Sequence, residues 1–473
     1  MLPIVYLLLL CCCTSLSHGQ MLNFRDIVVV VMSQPDSHDT SLAESLREDI
    51  HKQAESHNQA PPPVHFAHTD FTHPGAWTIV PILPQLDALY GRNSSYVLFC
   101  QSSTHVDLQK LVKILQKFVP KQEKWYGHAL RDREPTIIHH FAFPKNPSIF
   151  KYPNLASGVV MTKTLIRKLA HRLREGDFPR NPDFSIDAAY ELALYIWQEG
   201  KGPELTHLDA ICAKPGPHCA TKPRIFSPCG NPVQTKDIYL AVKTCSKFHD
   251  ERLPIVKSTW GKYASRINFF SDVEDLKLGT ISLGVPNTER GHCGKTLAVL
   301  GYAATQYIID PTIKWLVIAD DDTILSVSRL RQFLSCYDPS LKVALGERYG
   351  YSVVLPREIG GYNYITGGGG IVLSMPLVQE LAKRGSCTCP SDSTPDDMYL
   401  GICLANLDIP IIHSPHFHQA RPSDYAKNYL LSQKPVSFHK HWMVDPVKVY
   451  QEWFEIDDLS LSPNHKNEDH DEL

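Results

Sequence analysis

"WLVIADDDTILSVSRLRQFL", Trp315 to Leu334, decides how the rest of the chain is read. Trp315 to Ala319 form a continuous apolar run with the length of a buried strand. Three carboxylates follow at once, Asp320, Asp321 and Asp322, before a stretch with helical spacing at Leu330 and Leu334. Like charges this close raise one another's pKa unless a cation or hydrogen-bond donors compensate. One reading is a solvated turn in which Asp322 or Thr323 caps the next helix. The sharper one is a divalent-cation site, because hard cations prefer carboxylate oxygens.

The same frame occurs earlier in the chain. "YVLFCQSSTHVDLQKLVKIL", Tyr96 to Leu115, lies over it without a gap and matches Thr104 to Thr323, Leu111 to Leu330 and Leu115 to Leu334. "YPNLASGVVMTKTLIRKLA" (Tyr152 to Ala170) then lies over "YITGGGGIVLSMPLVQELA" (Tyr364 to Ala382), and "DAAY" (Asp187 to Tyr190) over "DDMY" (Asp396 to Tyr399). Three pairs in one order indicate a duplicated domain. Each half alternates apolar strands with helical stretches, which predicts parallel-sheet α/β units with ligands at the carboxyl ends of the strands. The expected fold is therefore α/β, with two tandem Rossmann-related domains, the first a degenerate copy of the second. Their bounds are 20–211 and 235–460, joined by a Pro/Gly/Cys-rich linker at 212–234 with no strand or helix period.

What changes between the copies is chemical. Gln101-Ser102-Ser103 replace the three aspartates, Ala188 replaces Asp397, and Leu155 to Ser157 replace Gly367 to Gly369. The apolar frame survives while the acidic and close-approach positions are lost. This split assigns the chemistry to the second half and a scaffold or binding role to the first.

The ends carry addresses. Residues 1–19 contain the short apolar run "IVYLLLLCCC" and resemble a signal peptide without its basic start; the run is too short to span a bilayer. The tail, 461–473, ends in His470-Asp471-Glu472-Leu473, an endoplasmic-reticulum retention signal read by a receptor. A soluble protein of that lumen, with no transmembrane segment, is expected. Ten of the 13 cysteines lie beyond the leader, enough for up to five disulfides in an oxidising compartment. Asn93-Ser94-Ser95 is a clean N-glycosylation sequon. A net charge of -3 gives no basic footprint for nucleic acid.

Three elements of the second half can meet at one site. They are the tri-aspartate, the glycine run Gly367 to Gly370, where backbone can approach a ligand closely, and "PDDMYLG" at Pro395 to Gly401. Helix capping accounts for one acid of the last motif, and Asp396 is the one assigned to it. His413, His416 and His418 crowd a short extended segment and are candidates for a metal role. The set suits group transfer from a nucleotide diphosphate: a cation neutralises the leaving group and a separate carboxylate deprotonates the attacking hydroxyl. A glycosidase with two carboxylates is a further reading. No Walker A or kinase motif supports phosphoryl transfer.

From "DIYLAVKTC" (Asp237 to Cys245) through "ADDDT", "TGGGGIVLS", "PDDMYLG" and "SPHFHQ", residues 237 to about 455 resemble the Fringe-type β-1,3-glycosyltransferases. The duplicated first half and the retention terminus resemble one branch of that family. The resemblance implies two GT-A-like domains, Mn²⁺ as cofactor, UDP-glucose as donor and an inverting displacement. Its implied acceptor is O-linked fucose on folded thrombospondin type 1 repeats. Carried over by position, Asp322 binds the metal, supported by Asp320 and Asp321, and Asp397 is the base. Gly368 and Gly369 lie beneath the sugars, while Lys295, Lys243 and Thr244 lie near the donor. The family's "FHSH" segment, whose second histidine binds the metal, is set on Phe417 to Ala420, "FHQA". That position is Ala420 here, so His418 is expected as the replacement ligand, with His416 second. Rival readings are another UDP-sugar as donor, a non-catalytic lectin or folding sensor, and a glucosidase.

Overall fold

The computed structural model describes residues 22–179, 183–355 and 360–461. The leader and the His470 to Leu473 signal lie outside the described residues.

The chain is α/β, built on two large sheets. In the first half, apolar runs form β1 (Ile27–Val31), β2 (Val64–Phe66), β3 (Tyr96–Cys100), β4 (Trp125–Gly127), β5 (Val159–Thr162) and β6 (Thr206–His207), ordered β6-β4-β5-β3-β1-β2. The second half supplies β7 (Ile238–Lys243), β8 (Ile267–Ser271), β9 (Thr280–Ser282), β10 (Trp315–Asp320), β11 (Ala344–Gly346), β12 (Ile371–Ser374) and β13 (Ile411–His413), ordered β9-β8-β7-β10-β12-β11-β13. Without edge strand β9, the two orders and their pairing directions coincide. Register coincides too: Tyr96 faces Thr162 as Trp315 faces Ser374.

The sheets are mixed where parallel ones were expected. The glycine turn 367–370 sits at the same sheet end as the tri-aspartate, so the strand leaving it must run back along β10. Ile371 accordingly pairs antiparallel with Ile318. That reversal sets the glycines beside the carboxylates.

Trp315 to Ala319 are buried, as two-sided strands must be. Leu316 and Ile318 pack with Val299, Leu300 and Leu377 from two helices on one face. Trp315, Val317 and Ala319 pack with Leu253, Trp260 and Leu330 on the other. Successive strand side chains point to opposite faces, so one run feeds two cores.

The linker differs from expectation. Thr221–Pro223 form a short strand paired with Thr104–Val106 of the first half, while the Cys229–Cys336 disulfide ties the following segment to the second. The halves also share a sheet, since Ser185 pairs with Gly350. Four disulfides form among the described residues: Cys212–Cys219, Cys229–Cys336, Cys293–Cys389 and Cys387–Cys403. Cys100 and Cys245 stay free because each is buried in a different half. Asn93 is exposed in the turn before β3, while Ser94 beside it is buried. Among the described residues, no helix is long and apolar enough to cross a membrane.

Candidate active site

Strand ends bring the site together. Lys243, the last residue of β7, faces Asp320, the last of β10, in the parallel register. Its buried ammonium lies 3.1 Å from Asp320 and 2.6 Å from Asp396, clamping the tri-aspartate to the "PDD" helix, Asp396–Asn406. Burial opposes a charged lysine, but the two carboxylates outweigh it and raise its pKa. Asp396, expected as a cap, accepts from Lys243 and from the Thr296 hydroxyl at 2.6 Å, with no side-chain cap bond at the helix start. Lys243 therefore works as a clamp and is not free to reach a donor.

The three aspartates have different environments. Asp321 is buried and accepts from Thr244 (2.7 Å) and Arg252 (2.6 Å); burial pushes its carboxyl up to about 6. Asp322 faces the His439 imidazole at 3.0 Å and Arg252 at 3.2 Å. Burial works against its charge, yet His439 and then Arg252 hold its carboxyl well below the usual range. Asp320, Asp322 and His439 place ligand atoms within 4.8 Å of one another. Lys295 donates to the Thr244 carbonyl at 2.7 Å and so supports the turn that positions Asp321.

His439 is held from behind. Its Nδ1 lies 3.0 Å from the Gln419 carbonyl, which can only accept, so Nδ1 carries the proton and Nε2 faces the carboxylates. Gln419 is fixed in turn: its amide donates to Glu347 at 2.6 Å and its side-chain oxygen accepts from the Gly369 amide at 3.1 Å. A Cβ on Gly368 would lie 2.3 Å from the imidazole, so only glycine fits there. Asp397 flanks the same turn, with Gly367 against its Cβ and its carboxylate accepting from the Met398 amide at 2.7 Å. Burial, then the neighbouring Asp396, pushes the Asp397 carboxyl up to about 6. A carboxyl tuned this way suits proton transfer near neutral pH.

Residues 233–461 match the family described as Fringe-like. Over 434 residues the chain is 47% identical to the β-1,3-glucosyltransferase of Mus musculus, spanning 91% of this chain and 87% of that one. The Homo sapiens β-1,3-glucosyltransferase is also 47% identical, over 93% of this chain and 87% of its own length. The Fringe glycosyltransferase of Drosophila melanogaster is 29% identical over 71% of this chain and 76% of its own. The chain belongs to the Fringe-like β-1,3-glycosyltransferases.

For this glycosyltransferase the histidine expectation needs correction. His418 is not brought to the carboxylates: it is buried and stacked on Phe438 with ring centroids 5.0 Å apart. Its neighbour His416 sits edge-on to Phe226 and Phe333, and His413 accepts from the Arg348 amide at 3.1 Å. Burial lowers His413 and His418 to about 3 and His416 to about 4, so all three are held neutral, His418 in the core and the other two half-buried. The histidine at the cluster is His439, in the segment Ser437–His439 that pairs antiparallel with Thr323–Leu325. The sequence held only part of that signal: "FHKH", Phe438 to His441, fits "FHSH" at both histidines, but the second of them, the family's ligand, falls there on His441. Arg252, stacked 3.7 Å over the Phe248 ring, had no such signal.

Proposed function

We propose that the second half transfers glucose from UDP-glucose to the 3-hydroxyl of O-linked fucose on folded thrombospondin type 1 repeats. Transfer proceeds with inversion, in the lumen of the endoplasmic reticulum. The observation that carries this reading is the position of Asp397, a carboxyl raised to about 6 beside the glycine turn whose other flank meets His439.

The donor set fits Mn²⁺: two carboxylates and one imidazole converge within 4.8 Å, and such O/N sets suit that ion. Asp320, Asp322 and His439 would hold it. Once bound, such a cation neutralises charge developing on the diphosphate leaving group. Asp397 takes the proton from the acceptor hydroxyl as that oxygen attacks the anomeric carbon and the bond to the diphosphate breaks on the opposite face. Gly367 to Gly369 keep side chains out of the space between base and leaving group. Arg252 and Lys243 balance the surplus carboxylates without entering the reaction. The first half is non-catalytic, having Gln101, Ser102, Ser103 and Ala188 at the corresponding positions.

Glucose is favoured over N-acetylglucosamine because the relatives at 47% identity are named glucosyltransferases, whereas lunatic fringe of Homo sapiens, named an N-acetylglucosaminyltransferase, is 28% identical. The test is a donor panel of UDP-glucose, UDP-N-acetylglucosamine and UDP-galactose with Mn²⁺ and an O-fucosylated folded repeat. Glucose transfer alone supports the reading. Transfer from another donor overturns the substrate, and acceptor binding without turnover points to a lectin.

A further inference from the structure

The first half keeps a cavity where the second half keeps its chemistry. Ser102, Ala156, Asp187, Ala188 and Pro223, the counterparts of Asp321, Gly368, Asp396, Asp397 and His439, all line one cavity of about 380 Å³. Residues of the second half, among them Glu347, Arg348 and His416, close its other side. A volume of this size lies in the range of small-ligand sites, roughly 300–1,000 Å³.

Three buried polar atoms on its lining lack hydrogen-bond partners, Arg348 Nε, His416 Nδ1 and Gln433 Oε1. Buried polar atoms without partners are uncommon and call for a ligand or water. The Arg348 guanidinium lies 4.5 Å from the centroid of the Trp77 ring, which lines the cavity together with Tyr152. The lining holds no surplus of buried positive charge for an anion. Asp39 and Asp187 offset Arg348 and His139, the imidazole that Asp132 and Asp187 hold protonated, while burial pushes the Glu347 carboxyl up to about 8 and Arg224 is exposed. The residues that would hold a cation for a diphosphate are absent, with serine at 102 and 103. What remains is a set of carboxylate acceptors, a guanidinium donor, a neutral imidazole and aromatic rings. Such a lining accepts from and donates to hydroxyls while covering an apolar sugar face.

We propose that this cavity is a second carbohydrate site, taking a neutral mono- or disaccharide unit and excluding nucleotide diphosphates. It shares a wall with the catalytic centre, because Glu347 lines the cavity and holds Gln419, the residue behind His439.

The test measures binding of methyl β-D-glucopyranoside, methyl α-D-mannopyranoside and methyl α-L-fucopyranoside, with UDP for comparison, by saturation-transfer NMR. Wild type is compared with two cavity-filling variants on different elements, Ala188→Phe and Ser103→Phe, each checked by thermal melting. At least one glycoside should bind wild type and Asp397→Asn alike, and bind at least tenfold more weakly to both filled variants, whose UDP binding is unchanged. Equal glycoside binding by filled and wild-type protein overturns the site. So does the absence of any glycoside binding to wild type, or loss of UDP binding on filling.

Discussion

Thr104 and Thr323 make the same bonds in the two halves and serve different ends. Each hydroxyl accepts from the amide three residues earlier, Gln101 or Asp320, at 3.0 Å. Each donates across to the next strand's turn, to Ala156 at 3.0 Å or Gly368 at 2.9 Å. Each threonine also pairs with a short strand, facing Pro223 in the first half and His439 in the second. The backbone frame is therefore indifferent to what the site does. Function is carried by a few side chains hung on it, and those can be lost without disturbing the strands.

Removing the base should break the contrast most severely. Asp397→Asn places an amide where the first half has Ala188, and transfer should fall by about 10²–10⁴-fold, with Mn²⁺ affinity unchanged. A variant that retains more than a tenth of wild-type transfer would remove Asp397 from the chemistry. The ligand assignment comes next. His439→Ala should weaken the Mn²⁺ dependence of transfer by about 100-fold. His418→Ala should leave that dependence alone and cost about 1–3 kcal/mol of stability through lost packing on Phe438. The opposite pattern in a metal titration would return the ligand role to His418.

The tri-aspartate and the glycine run were legible because they violate local expectation: charges at an apolar strand exit, and four positions without side chains. The duplicated frame was legible because buried strands and helix faces keep their apolar spacing. His439 was harder, since it reaches Asp322 through a strand pairing more than 100 residues away in sequence. The histidine-rich segment 413–418 drew the assignment, yet His416 and His418 pack against aromatic rings and His413 meets the Arg348 amide. Arg252 and the Lys243 clamp lay beyond reach because ion-pair partners depend on how strand ends converge.

The pH dependence tests the tuned carboxyl. Asp397 must be ionised to accept a proton, and burial and Asp396 raise its pKa to about 6. Transfer measured as kcat/KM should hold above that value and fall about tenfold per unit below it. An acid limb near 4, the ordinary carboxylate range, would show that the Asp396 charge and burial do not act on the base in solution.

The smallest effect is also the sharpest comparison. A methyl group at Gly368 would stand 2.3 Å from the His439 ring, so the imidazole must move away from Asp322. In the first half Pro223 takes the place of that ring, and an alanine, Ala156, occupies the glycine's position. The histidine thus accounts for the glycine. Gly368→Ala should weaken Mn²⁺ dependence by about tenfold, because a displaced ligand binds less well. Ala156→Gly should leave transfer untouched and cost only about 0.5–1 kcal/mol through backbone entropy. If Gly368→Ala binds metal normally, the glycine serves the sugar and not the ligand. The double variant Gly368→Ala/His439→Ala separates the two: with the ring gone, adding the methyl group should produce no further loss.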